Sequence, residues 1–163
     1  MSEIIKHAEL ISNLLLNDPL LIVHDKRSLY LNMGVLKYFE LSKDYINGEN
    51  IVNKGDELLA FLQMANAELA NEPNLLISYA HVSLLLAQSE IDFHEQSFKY
   101  IELAYESFQK AQNINAQHPQ LLTTQLWIES LKSYFNKIEF LEVEQLFENA
   151  NADLKNNAQI YYL

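Results

Sequence analysis

Apolar residues recur every three or four positions through most of the chain, which is the period of an amphipathic helix. Ile4, Ala8, Ile11 and Leu15 follow this spacing near the start, and Ile101, Ala104, Phe108 and Ala111 follow it most clearly. The pattern predicts seven helices, at about 3–16, 19–41, 57–69, 73–88, 93–114, 118–135 and 138–154. The stretch 42–56, SKDYINGENIVNKGD, contains two of the three glycines and is predicted to be a long loop or insertion.

A motif of about a dozen residues recurs at the predicted helix junctions. It reads ANAELANEPNLL at 65–76, AQNINAQHPQLL at 111–122 and ANADLKNNAQIY at 150–161, with a more divergent copy, ISNLLLNDPLLI, at 11–22. Each copy joins a helix end, a polar turn and a helix start, marked by Pro19, Pro73, Pro119 and the degenerate Ala158, at intervals of 54, 46 and 39 residues. Each interval holds two helices, so the repeating unit is a helical hairpin.

These hairpins resemble the tetratricopeptide (TPR) repeat. Ala104, Phe108 and Ala111 match the A-x3-F-x2-A spacing of its second helix, and Tyr79-Ala80 stands where the family has Leu-Gly. The likeness covers about 57–163 well and 1–42 poorly; Gln125-Leu126 and the long intervals depart from it. It implies an all-α, right-handed solenoid of antiparallel hairpins, with 1–163 as a single domain. An irregular helical bundle is the alternative fold.

The net charge of −11, with 22 acidic against 11 basic residues, argues against nucleic acid or an anionic membrane as partner. No apolar run is long enough to span a bilayer, so membrane insertion is not expected. The N-terminus lacks the features of an export signal, and we expect a cytoplasmic protein.

No residue pattern points to an enzyme. The chain has no cysteine and only three glycines, which excludes thiolate chemistry and argues against a glycine-rich phosphate loop. Neither an H-E-x-x-H helix nor a carboxylate pair organised by a histidine is present, so we expect no catalytic residues, metal or cofactor.

Binding residues are expected on the first helix of each hairpin, because these helices line the concave groove of such solenoids. If Pro19, Pro73 and Pro119 are equivalent starts, the ninth residues are Arg27, His81 and Trp127. Trp and Arg are common anchors in interfaces, although Trp127 also fits an ordinary core position. The flanking residues of the predicted groove are His24, Ile77, Leu84, Thr123 and Ser130.

The favoured function is therefore a scaffold or adaptor that binds a peptide, helix or domain of a partner protein. The alternative is a small acidic inhibitor or immunity protein that covers a basic site on a toxin or enzyme. The apolar stretch Ile160–Leu163 predicts either self-association or continuation into further repeats, with this chain as the N-terminal part of a longer protein.

Overall fold

A computed structural model describes residues 2–18, 23–70, 72–91 and 94–136. These residues form six helices and no strand, so the all-α class is confirmed. The helices are α1 (Ser2–Leu16), α2 (Val23–Ile46), α3 (Val52–Glu68), α4 (Pro73–Ser89), α5 (His94–Ile114) and α6 (Leu121–Asn136). The predicted seventh helix at 138–154 and the Ile160–Leu163 edge lie outside the described residues.

Helix α4 is the centre of the packing. It contacts α2, α3, α5 and α6, whereas α1 packs on α2. Its sequence, PNLLISYAHVSLLLAQS, contains no charged residue, and an uncharged helix that is apolar on most sides is one that neighbours surround. Ten of its residues are buried, among them Leu75, Ile77 and Leu84. Pro73 occupies the first turn, as the sequence predicts, where its missing N–H costs no hydrogen bond.

The predicted loop at 42–56 is wrong in extent. Helix α2 continues to Ile46 and α3 begins at Val52, so the link is only residues 47–51. The two glycines in this stretch have different roles. Gly48 has a φ of 76°, the left-handed conformation that ends a helix. Gly55 lies inside α3, where a Cβ atom would be 2.4 Å from the Leu86 side chain, so here glycine permits close contact between α3 and α4.

None of the helices in the described part of the chain combines the length and apolar character that crossing a bilayer requires.

Candidate functional site

Three aromatic side chains form a row across α2, α4 and α6, and we call Tyr38, His81 and Trp127 the aromatic row. The His81 ring centroid lies 6.5 Å from that of Tyr38 and 5.8 Å from that of Trp127, with tilted rings. All three side chains are half-buried, and Tyr38 and Trp127 also pack against the core. The row therefore joins three helices through contacts between partly buried rings.

The hydrogen bonds around His81 determine its tautomer. The Thr124 hydroxyl donates its single proton to the Gln120 carbonyl oxygen at 2.7 Å. Its oxygen lies 2.9 Å from His81 Nε2. The hydroxyl must accept that second bond, so Nε2 carries the imidazole proton and Nδ1 carries a lone pair. Among the described residues, Nδ1 makes no hydrogen bond.

His81 is neutral at physiological pH. Burial, which disfavours the charged imidazolium, and secondly the positive charge that nearby His118 carries when it is protonated lower its pKa to about 4. The row therefore presents a neutral ring with an acceptor nitrogen over a wide pH range.

A chain of polar contacts connects the starts of the same three helices. The guanidinium of Arg27 donates to the Glu72 carboxylate through Nε and Nη2, at 2.9 and 3.0 Å. Glu72 is the N-cap of α4 and also accepts from the Asn74 side chain at 2.7 Å. Asn74 Oδ1 lies 3.0 Å from His118 Nε2, and His118 Nδ1 accepts from the Gln120 N–H at 3.3 Å. This chain positions α2, α4 and α6 relative to one another.

His118 is neutral in this arrangement, because Nδ1 already accepts a hydrogen bond and Nε2 faces an amide oxygen. Burial lowers its pKa, and the Glu72 carboxylate opposes that effect only in part. The second imidazole of the site thus acts as a cap for the start of α6.

The structure brings together only part of the predicted groove. His81 and Trp127 are neighbours, as the repeat register predicts, but Arg27 pairs with Glu72 rather than joining them. Three predicted groove residues instead lie buried: Ile77, Leu84 and Thr123. Ser130 is half-buried and donates to the Leu126 carbonyl within its own helix. The side chain of His24 lies outside what the structure describes.

Tyr38 is the residue that the sequence reasoning missed. It lies 43 positions before His81, close to the 46 that separate His81 from Trp127. Stepping back 46 positions from His81 reaches Val35, which is on the same face of α2 as Tyr38. The repeat interval was therefore a usable signal for the third residue of the row. Counting nine residues from Pro19, which selected Arg27, was a less accurate signal.

Exposed apolar side chains extend along α2 from the face that carries Val35 and Tyr38. Val35, Phe39 and Ile46 are 46%, 65% and 81% exposed and recur at helical spacing. Phe39 lies with its ring centroid 6.4 Å from that of Tyr38. The aromatic row thus has an apolar extension on α2.

A concave feature apart from the aromatic row lies between α3, α4 and α5. This cleft has a volume of about 150 Å³, with Leu62, Leu75, Tyr79 and Leu103 among its lining residues and Glu106 and Lys110 among its polar ones. Sites for small molecules usually enclose at least about 300 Å³. The cleft is too small to rank as the main site.

No group of three His, Asp or Glu side chains within the described residues could hold a metal ion. No family model, curated protein or solved structure matches the chain.

Proposed function

We propose that this chain is a protein-interaction module, a TPR-like solenoid of helical hairpins that binds a segment of a partner protein across the aromatic row. The observation that carries the proposal is the row itself: Tyr38, His81 and Trp127, half-buried and in contact from helix to helix.

Stacked hairpins would place α2, α4 and α6 side by side, and α4 does contact both α2 and α6. Four side-chain contacts between alternate helices or their starts have sequence separations of 43 to 45 residues, which is what a repeat of two helices would produce. These pairs are Arg27–Glu72, Asp56–Tyr100, Asn74–His118 and His81–Thr124.

Energetics favour the row as the place where a partner binds. Trp and Tyr dominate the binding energy of many interfaces, particularly where they are already held in place before binding. Trp127 and Tyr38 are each only partly buried and each pack against the core. A partner that covers the row and Phe39 would bury a continuous apolar and aromatic surface.

The test uses the purified chain to capture partners from the cells that produce it, with Tyr38→Ala and Trp127→Ala as variants. Tyr105→Ala is the matched control, because Tyr105 is an exposed aromatic residue of α5 that stacks on Phe108. A specific partner should be retained by the wild type and the control and reduced at least tenfold by both row variants. Equal retention by all four folded proteins would refute the proposal.

The acidic inhibitor is the second candidate, and the distribution of charge favours it. Residues 47–163 contain 16 acidic and 6 basic side chains, a net charge of −10, whereas residues 1–46 contain 6 and 5, a net charge of −1. An inhibitor of a basic enzyme should abolish the activity of the captured protein at equimolar ratio, while an adaptor should leave that activity unchanged.

A further inference from the structure

His81 places an unusual polar group in the middle of the aromatic row. Its Nε2–H is used by Thr124, and its Nδ1 lone pair has no hydrogen-bond donor among the described residues. The ring is half-buried between two aromatic rings. A partner that covers this ring must therefore bring a donor to Nδ1, or leave a lone pair buried without a partner, at a cost of about tenfold or more in affinity.

The neighbouring rings indicate which donor fits best. Cations bind to the faces of Trp and Tyr rings within about 6 Å of the centroid. The centroids of the Trp127 and Tyr38 rings are 5.8 and 6.5 Å from the imidazole centroid, so these are the two aromatic rings next to a cation that binds to His81. Carboxylates and phosphates, by contrast, would face a lone pair and the negative faces of the rings.

We propose that the aromatic row binds the guanidinium group of an arginine in a basic segment of the partner, with one N–H donated to His81 Nδ1. This inference rests on the proposed interaction function and specifies the partner's chemistry. Arginine fits better than lysine because its planar group stacks on aromatic rings and is more weakly hydrated. The net charge of −11 attracts such a segment over longer distances.

Thr124 is the positioning residue of this site. Without its hydroxyl, the buried Nε2 loses its acceptor, and the imidazole proton would move to Nδ1. Nδ1 would then be a donor and would repel the guanidinium. Thr123 is a matched control, because it is also buried and donates to the same Gln120 carbonyl oxygen, at 2.9 Å, whereas the histidine bonds to Thr124.

Trp127 is the only tryptophan in the chain, so its indole N–H signal in NMR spectra reports on the row directly. The probe is the capped tripeptide Gly-Arg-Gly, titrated beside versions with citrulline or glutamate in place of arginine. Citrulline has the same shape as arginine but no charge. We expect a saturable shift of the indole signal with the arginine peptide, and at least tenfold weaker binding of the other two.

His81→Phe, which retains a ring but removes the acceptor, and Thr124→Val should each weaken arginine binding at least tenfold. Thr123→Val and the conservative Thr124→Ser should bind as the wild type does. Circular dichroism verifies that each variant is folded, and either His81→Phe or Thr124→Val is sufficient for the test if the other does not fold. Equal binding of citrulline and arginine peptides, or unchanged binding by a folded His81→Phe variant, overturns the proposal.

The two proposals fail in different ways. If Tyr38→Ala and Trp127→Ala lose the captured partner while His81→Phe retains it, the interaction function stands and the arginine site is refuted. If the arginine peptide binds to the row but the row variants retain the partner, the row binds arginine, and both the proposed function of the row and the assignment of that arginine to the partner are refuted.

Discussion

The pKa of His81 predicts a specific loss of stability in mild acid. Burial and His118 lower this pKa from 6.5 to about 4 in the folded chain. As the pH falls, the unfolded chain therefore takes up the proton first, and protonation favours unfolding. The contribution of His81 to the free energy of unfolding is complete above pH 6.5 and is lost between pH 6.5 and about 4. Between pH 7 and pH 5 the loss amounts to about 2 kcal/mol.

Substitution of the imidazole isolates this effect from the titration of carboxylates. In His81→Gln the side-chain amide keeps a donor near Thr124 but does not titrate, and in His81→Phe the ring remains without nitrogen atoms. Both variants lose contacts, so both should be less stable than the wild type at pH 7. The informative quantity is the change in the free energy of unfolding between pH 7 and pH 5, which should be about 2 kcal/mol smaller in each variant.

Urea denaturation followed by circular dichroism measures these free energies at both pH values. A residual pH dependence is expected in the variants, because burial also lowers the pKa of His118. If the wild type and both variants lose the same free energy between pH 7 and pH 5, His81 does not titrate as its environment requires. The neutrality of His81 in mild acid would then be refuted, whereas its Nε2–H tautomer rests on the hydrogen bonds of Thr124.

Three other substitutions test a close contact, a turn and a hydrogen bond of the fold. Gly55→Ala should destabilise the chain by roughly 1–2 kcal/mol in urea denaturation despite the better helix propensity of alanine, because the new methyl group meets Leu86. Leu86→Ala in the same chain should remove this penalty, and additive effects of the two substitutions would contradict the reasoning. Gly48→Ala should cost about 1 kcal/mol for a different reason, its φ of 76°, since the space around it is open, and unchanged stability would refute that account. Tyr100→Phe should cost about 1 kcal/mol by removing the 3.0 Å hydrogen bond to Asp56, and Asp56→Asn should retain most of the stability if that bond, rather than charge, is what matters.

Local sequence patterns were sufficient for the bounds of α1, α4 and α5. The spacing of Ile101, Ala104, Phe108 and Ala111 predicts α5 because a helix with one buried face requires apolar residues at that period. Pro73 marks the start of α4 because proline is compatible only with the first turn of a helix. These signals depend on residues within one or two turns of each other, which the sequence displays directly.

The extent of α2 and α3 depended on contacts between helices. Glycine at position 55 reads as a helix breaker on its own, and only the 2.4 Å approach of Leu86 explains why a helix carries it. The ion pair between Lys54 and Asp44, 2.6 Å apart, likewise joins two helices across a link that the sequence suggested was much longer.

The membership of the aromatic row was also decided by tertiary structure. The sequence by itself predicted the all-α class and the bounds of α1, α4 and α5, because these follow from local periodicity, and it placed Arg27, His81 and Trp127 along one groove. It did not predict that Glu72 would bind Arg27 or that Tyr38 would take the third place in the row. Those outcomes depend on how far each helix is rotated against its neighbours. The packing of Gly55, Leu86 and the rest of the core determines this rotation, and no local pattern encodes it.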